Sequence, residues 1–192
     1  MIEVEVETVA WTLALPDAEA VVMRAAYETL LPRGEKGRDE GADGTGPKLA
    51  LEAVRLQRMS GKVSANTPIP APSPLVGEGS ISILLTDDDT LADLNGRFLG
   101  KPKPTNVLSF PAPPNPEGHL GDIALAYGVC AAEAVEQGKT LAQHLSHLTV
   151  HGVLHLLGYD HESDGDAEVM EALERTVLEV LGVPDPYAAE RP

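Results

Sequence analysis

Apolar and acidic residues alternate at the N-terminus, where residues 2–7 read Ile-Glu-Val-Glu-Val-Glu. A period of two residues predicts a strand with one buried face. Residues 81–85, 107–110 and 123–126 are short, mainly apolar runs, and such runs are typical of buried strands. The pattern therefore predicts four strands.

Segments with helical periodicity separate these strands. The predicted helices run from Asp17 to about Leu31, over 48–60, from Asp88 or Asp89 to about Phe98, over about 129–137, from Thr140 to about Leu157, and from about Asp166 to Leu181. Gly158 and Gly182 stand just beyond two of them, where a left-handed glycine commonly ends a helix. The apolar face of the last helix is predicted to contain Met170, Leu173, Val177 and Val180.

Strands grouped with helices, without strict alternation, predict an α+β fold: a small mixed four-stranded sheet packed by about five or six helices. One long helix, over about 140–157, carries most of the histidines. A chain of 192 residues can build one stable core, so residues 1–192 are predicted to form a single domain. Segments 33–47 and 63–79, rich in glycine, proline or polar residues, are predicted to be flexible loops.

The charge balance narrows the possible partners. The chain has 30 acidic and 14 basic residues and a net charge of −16, which repels nucleic acid and anionic membranes at long range. That argues against a DNA-coating protein but leaves open a nuclease that uses a cation. No apolar run is long enough to cross a bilayer, and the acidic N-terminus is unlike a secretory signal. The one cysteine, Cys130, cannot form an intramolecular disulfide and is expected to be a buried small side chain. We expect a cytoplasmic protein with neither a membrane nor DNA as partner.

The strongest chemical signal is a set of three histidines in residues 151–161. His151 and His155 are four residues apart, so they share one face of a helix, and Gly158 lets the backbone turn and bring His161 towards them. Three neutral imidazoles with one open position are typical of a catalytic zinc site, whereas structural zinc sites have four protein ligands. The sequence predicts one Zn²⁺ per chain, although three histidines also accept nickel, copper or cobalt.

The other histidines have simpler interpretations. His144 and His147 continue the same helical stripe and are expected to be packing or surface groups, with a supporting role behind the metal ligands as the alternative. His119 is expected to be a loop residue.

The histidine spacing also matches the metzincin proteases, which need a glutamate directly after the first histidine as general base. Here that residue is Gly152. This chain therefore lacks the proton acceptor that the metzincin mechanism of peptide hydrolysis requires, although a metal-bound hydroxide remains a possible nucleophile.

A basic segment precedes the histidines, with Arg97, Lys101 and Lys103 close together in an otherwise acidic chain. Bases beside a metal can bind phosphate and stabilise charge that develops on it. Considered alone, such a segment is more often a solvated loop or helix end.

Several segments together resemble the YbeY family of bacterial endoribonucleases, from about residue 80 to the C-terminus. The matching residues are Leu94-Asn95, Lys101, the run 104–111, Gly121-Asp122-Ile123, and 151–161. The resemblance implies a zinc-dependent endoribonuclease specific for single-stranded RNA, which acts in 16S rRNA 3′-end maturation and 70S ribosome quality control. The implied partners are the 16S rRNA precursor and ribosomal particles, with ribosomal proteins and ribosome-associated GTPases as further partners.

Candidate roles follow for the residues around the metal. Arg97 and Lys101 are assigned to catalysis as phosphate-binding groups, and Asp160 either orients a ligand histidine, accepts a proton or is a plain turn residue. Substrate binding is assigned to Lys103, Thr105, Asn106 and Ser109, and strand-end hydrogen bonding explains the last three equally well. Tyr159 either stacks on a base or packs over the helix end.

The chain departs from the family pattern at two positions of the basic segment. An arginine usually lies two residues before the lysine that corresponds to Lys101, but here that residue is Leu99, and the nearest arginine is Arg97. Two residues turn a helical side chain by about 200°, so Arg97 is not expected to take over the same position directly. Pro102 replaces a residue that is commonly aspartate, and the segment 33–79 is longer than expected.

The sequence leaves two other classes of function open. One is a metal-dependent hydrolase of peptides or small molecules, and the other is a non-catalytic ribosome-assembly factor. It also leaves open whether water or the RNA 2′-hydroxyl is the nucleophile.

Overall fold

The computed structural model describes residues 1–31 and 80–188. Its strands are β1 (Ile2–Val6), β2 (Ser80–Thr86), β3 (Val107–Pro111) and β4 (His119–Ala126). The helices within these ranges are α1 (Val9–Ala14), α2 (Ala18–Leu30), α3 (Asp88–Leu99), α4 (Tyr127–Glu136), α5 (Leu141–Leu156) and α6 (Asp164–Leu181).

The four strands form one mixed sheet in the order β1-β2-β4-β3. β1, β2 and β4 are parallel, and β3 pairs antiparallel with β4 at one edge. This arrangement confirms the predicted α+β fold with a four-stranded mixed sheet. It also places β3 beside α5, the helix that carries the histidines.

Alternation along the strands places helices on both faces of the sheet, because successive side chains point in opposite directions. Ile83 and Leu85 pack in the cluster that includes residues of α1, α2 and α5. Ala124 and Ala126 pack in a second cluster with Leu91 of α3. A third cluster joins α5 and α2 to α6. Helix α5 therefore lies between the sheet and α6, and most of its surface is buried.

The structure corrects several sequence-based bounds. Helix α1 was not predicted, because six residues are too few to show a clear period. Its Trp11 is fully buried, and the indole Nε1–H donates to the carbonyl of Thr86 over 3.0 Å. β4 begins at His119 and not at 123, so the prediction that His119 lies in a loop is wrong. Its first half breaks the apolar pattern because Asp122 is exposed.

The last helix begins at Asp164, two residues earlier than predicted, because Ser163 accepts a hydrogen bond from the amide of Asp166 and caps it. Val180 does not belong to the buried face of α6, since it is 55% exposed while Leu178 is fully buried. The predicted helix over 48–60 and the predicted loops 33–47 and 63–79 lie outside the described residues.

The structure also shows the environment of the cysteine and the character of the helices. Cys130 is fully buried, as predicted, and burial raises the pKa of its thiol, as do the nearby carboxylates of Glu133 and Asp88. Within residues 1–31 and 80–188, no helix has both the length and the apolar character that a membrane span requires.

Candidate metal centre

Helix α5 presents two of the three histidines from consecutive turns. Thr140 caps its N-terminus as predicted, accepting from the amide of Gln143 while the Gln143 side chain accepts from the amide of Thr140. His151 and His155 are both partly buried on the same face of the helix. Burial of α5 against the sheet and α6 therefore holds two imidazoles in fixed positions.

A tight turn at the end of α5 brings the chain back towards these histidines. Gly158 has a φ of 86°, which favours glycine. The amide of Tyr159 donates to the carbonyl of Leu154 over 3.0 Å, and the amide of Gly158 donates to the carbonyl of His155 over 3.0 Å. These two bonds form a Schellman motif, the predicted ending of the helix. The carbonyl of Tyr159 then lies 3.0 Å from Nδ1 of His155.

The three imidazoles converge on one point. The Nε2 atoms of His151 and His155 are 3.1 Å apart. The His161 ring centroid lies 5.3 Å from that of His151 and 5.1 Å from that of His155. One nitrogen from each ring lies within 4.8 Å of the others. The structure therefore brings together the three histidines that were predicted to bind a metal.

A buried carboxylate that was not predicted lies behind His151. Oε1 of Glu174, on α6, is 2.7 Å from Nδ1 of His151, and Glu174 is only 1% exposed. Burial raises the pKa of this carboxyl, but hydrogen bonds from His147, His151 and Tyr187 outweigh burial and lower it to about 2. Glu174 is therefore ionised at neutral pH and can only accept hydrogen bonds.

These contacts determine which ring nitrogens are free to bind a metal. Because carboxylate and carbonyl oxygens only accept, His151 donates its Nδ1–H to Glu174, and His155 donates its Nδ1–H to the carbonyl of Tyr159. When both rings are neutral, each Nε2 atom carries a lone pair, and two lone pairs 3.1 Å apart repel unless a proton or a metal ion lies between them. Two nitrogens bound to tetrahedral zinc lie about 3.3 Å apart, given Zn–N bonds of about 2.0–2.1 Å. The donor set therefore fits a zinc ion.

The electrostatics of His155 favour the same state. Burial, followed by repulsion from the rings of His151 and His161, holds the pKa of His155 below its ordinary value. A lowered pKa keeps the imidazole neutral, and the neutral form is the one that binds metals.

An open cleft gives access to the three histidines. One wall is β3 with the residues beside it, and the other is the turn that follows α5. Besides the histidines, the cleft is lined by Leu99, Asn106, Val107, Leu108, Ser109, Pro111, Gly158, Tyr159 and Asp160.

Comparison with known proteins identifies the family. Residues 56–182 match the family described as "Endoribonuclease YbeY". The chain belongs to the YbeY family. This result confirms the resemblance inferred from the sequence.

Proteins named "Endoribonuclease YbeY" are similar to this chain over different lengths. The one from Rhodopseudomonas palustris (strain HaA2) is 54% identical over 123 residues, which cover 58% of this chain and 63% of that protein. The one from Paramagnetospirillum magneticum (strain AMB-1) is 43% identical over 197 residues, which cover 98% of this chain and 96% of that protein. A Thermotoga maritima protein solved in solution is 25% identical, with a TM-score of 0.41, and the match covers 79% of this chain and 93% of that chain.

The basic residues predicted to serve a YbeY-type site lie outside the cleft. Among the described residues that line it, none is lysine or arginine. The guanidinium of Arg97 lies 3.2 Å from the carboxylate of Asp93, and both side chains are exposed. Leu99 contributes to the cleft wall instead, as expected from the helical rotation between positions 97 and 99. The roles of Arg97, Lys101 and Lys103 stay predictions.

Three of the four polar residues assigned to catalysis or substrate binding line the cleft, and the fourth does not. Asn106, Ser109 and Asp160 line the cleft, whereas Thr105 does not. The side chain of Asn106 donates to Glu133 over 2.9 Å and accepts from the amide of Val107 over 2.7 Å. The amide group of Asn106 therefore positions the start of β3, and the residue also lines the cleft.

Ser109 and Asp160 also make hydrogen bonds within the fold. The hydroxyl of Ser109 donates to the carbonyl of Gly152 over 3.3 Å. The carboxylate of Asp160 accepts from the amide of His161 over 2.8 Å. Asp160 therefore stabilises the turn that presents His161, and the carboxylate next to a ligand ring is Glu174. Tyr159 packs against the cluster of α5 and α6 while it lines the cleft.

Of the remaining histidines, His147 supports the site and His144 is packed in the fold. Nε2 of His147 lies 3.0 Å from Glu174, so His147 contacts the carboxylate that holds His151. His144 is buried against Glu133 over 2.8 Å, and burial lowers its pKa. The one sequence signal for Glu174 is its position as an acidic residue within the apolar face of α6. A carboxylate buried there requires hydrogen-bond or ion-pair partners.

Gly152 packs directly against the sheet and does not face the metal ligands. A Cβ atom at this position would lie 3.1 Å from both the Ser109 hydroxyl and the Ile123 side chain. A glutamate here would extend into the core, so the general base of metzincin proteases has no room at this position.

We expect Gly152→Ala to lower the free energy of unfolding by about 1–3 kcal/mol, because the added methyl group overpacks the contact between α5 and the sheet. Denaturant unfolding measures the effect. Gly165→Ala is the matched control, since a Cβ at Gly165 of α6 meets nothing within 4 Å. That variant is expected to be neutral or slightly stabilising. Equal stability of the two variants would contradict the packing argument.

Proposed function

We propose that this chain is a zinc-dependent endoribonuclease that cleaves single-stranded RNA, with one Zn²⁺ held by His151, His155 and His161. One observation carries the proposal: the Nε2 atoms of His151 and His155 lie 3.1 Å apart, with a third imidazole beside them, at an open cleft. Membership of the YbeY family supports RNA, rather than a peptide, as the substrate.

In this proposal, the residues of the chain orient the metal ligands and the substrate, and the metal ion would supply positive charge. A zinc ion held by the three histidines would supply a Lewis acid, which can lower the pKa of water to about 7 and polarise a phosphate oxygen. Glu174 and the Tyr159 carbonyl keep the two ligand rings in the tautomer that binds metal. Asn106 and Ser109 present polar groups on the cleft wall, where an RNA backbone passes, and Asp160 at the cleft is the candidate proton acceptor.

The phosphates that flank the scissile one are proposed to bind to four residues: Arg97, Lys101, Lys103 and Thr105. Arg97 lies in the last turn of α3, and the other three follow this helix. Among the described residues that line the cleft itself, none has a basic side chain. Because the net charge is −16, this short basic segment offers RNA a local region of opposite charge.

The proposed substrate is the 16S rRNA precursor, cleaved during 3′-end maturation, and ribosomal particles are substrates in 70S quality control. Ribosomal proteins and ribosome-associated GTPases are the further proposed partners, and the cytoplasm is the proposed location. Family membership supports the RNA assignment, and the use of a single, buried cysteine supports a reducing compartment.

The deciding experiment combines elemental analysis of the purified protein with cleavage of labelled single-stranded RNA before and after chelation. We expect about one zinc per chain, loss of cleavage in the chelated protein and recovery when zinc is restored. Undiminished cleavage by thoroughly chelated protein would refute the proposal. Cleavage of peptides but not RNA would favour the hydrolase alternative. Binding of ribosomal particles without turnover would favour an assembly factor.

A further inference from the structure

Three hydrogen-bond donors from separate parts of the chain converge on Glu174. Nδ1 of His151 lies 2.7 Å from Oε1, and Nε2 of His147 lies 3.0 Å from Oε2. The hydroxyl of Tyr187 donates a short hydrogen bond to the same Oε2. Since Oε2 is occupied by His147 and Tyr187, Oε1 is the oxygen directed at the metal ligand.

Tyr187 reaches this position because the chain reverses after α6. Gly182 has a φ of 73°, and the amide of Val183 donates to the carbonyl of Leu178 over 2.9 Å. The amide of Tyr187 then donates to the side chain of Asp185 over 3.0 Å. The segment after α6 is therefore folded back by defined hydrogen bonds.

The ring of Tyr187 is also held from two sides. The Arg175 guanidinium lies 5.7 Å from the ring centroid, and the His147 ring meets it edge-on with centroids 5.7 Å apart. These contacts orient the phenol, so its hydroxyl reaches the carboxylate without further adjustment.

We propose that Tyr187 is a positioning residue of the metal centre: its hydroxyl holds Glu174 in the orientation that keeps the His151 ring aimed at the metal. This inference rests on the proposed binding of zinc by the three histidines. It assigns a functional contact to the segment that follows α6, 36 positions beyond His151 in the sequence.

The physical argument concerns the freedom of the carboxylate. A metal-binding histidine depends on the acceptor of its second ring proton for its tautomer and orientation, and loss of that acceptor typically lowers metal affinity by about 10- to 100-fold. Without the phenol, Oε2 loses one of its two donors inside a buried site. The carboxylate then samples other orientations, and His151 becomes a less ordered ligand.

Zinc affinity of the purified protein, measured by competition with a chromophoric chelator, tests the inference. We expect Tyr187→Phe, which removes one oxygen and keeps the ring, to weaken zinc binding by about 3- to 10-fold, the effect of one buried hydrogen bond. Glu174→Gln is expected to weaken it by about 10- to 100-fold. Tyr27→Phe is the matched control, because Tyr27 is 56% exposed on α2, and zinc affinity should not change.

The double variant separates a positioning role from a general effect on folding. If Tyr187 acts through Glu174, adding Tyr187→Phe to Glu174→Gln should weaken zinc binding little further. Fully additive losses, or an unchanged zinc affinity for Tyr187→Phe, would overturn the inference. Thermal unfolding of each chelated protein shows whether the variants are folded, and Tyr187→Phe alone still decides the question if Glu174→Gln is not.

This experiment is independent of RNA cleavage. If the wild-type protein binds zinc but cleaves no RNA, the proposed function fails while the affinity comparison stands. If the wild-type protein binds no zinc, both the proposed function and the positioning role are refuted.

Discussion

Replacing His151 or His155 by alanine is expected to remove the bound metal and RNA cleavage together. Either change leaves two imidazoles, and two ligands hold zinc far less tightly than three. We expect zinc content to fall from about one per chain to near zero, and cleavage of single-stranded RNA to fall by at least about a thousandfold. Elemental analysis and the labelled-RNA assay on the same preparations measure both quantities.

His119→Ala is the matched control for this experiment. His119 lies at the start of β4, where its ring contacts Ser80 over 3.1 Å and Asp122 over 3.1 Å, outside the three-histidine cluster. Its loss is expected to leave zinc content and cleavage near the wild-type values. Persistent cleavage by metal-free His155→Ala protein would show that the three histidines are not the catalytic centre.

Gly121→Ala is expected to have the largest effect on stability among the glycine variants considered. Gly121 lies in β4 with a φ of 138°, at the register shift between β2 and β4. A Cβ there would collide with the carbonyl oxygen of Phe110 and lie 2.9 Å from the side chain of Leu156. Since backbone atoms of a paired strand cannot move aside easily, the free energy of unfolding should fall by about 3 kcal/mol or more.

The steric clash at Gly121 also affects the candidate metal centre, because Leu156 is the last residue of α5 and directly follows His155. The measurement is denaturant unfolding of the chelated protein, so that metal binding does not contribute. Gly138→Ala is the control: its φ is 64°, but a Cβ would meet nothing within 4 Å. It should cost about 1–2 kcal/mol, the penalty of the left-handed backbone alone. A cost for Gly121→Ala no greater than this would contradict the steric explanation.

The candidate metal centre has two groups of residues, and the sequence specifies them in different ways. His151, His155 and His161 lie within eleven residues, so helix periodicity and one turn glycine are enough to predict their convergence. Glu174 and Tyr187 belong to α6 and to the segment after it. No local period relates them to His151, and their approach depends on how α6 packs against α5.

The basic segment shows the same distinction. Helical rotation predicts that Arg97 and Leu99 face different directions, and in the structure Leu99 lines the cleft while Arg97 pairs with Asp93. The sequence did not predict that the described cleft wall contains no basic side chain, because the wall combines β3, the end of α3 and the turn after α5.

The hydrophobic pattern alone was sufficient for the four strands, the long helix and the α+β class, because each depends on the period of a single segment. It failed at α1, which is too short to show a period, and at the start of β4, where Asp122 and Gly121 interrupt the apolar run. Local spacing likewise accounts for the three converging histidines. The partners that orient them, the closely packed position of Gly152 and the exclusion of Arg97 from the cleft are contacts between distant segments. Such contacts arise only when the core brings the segments together, which no periodicity within one segment specifies.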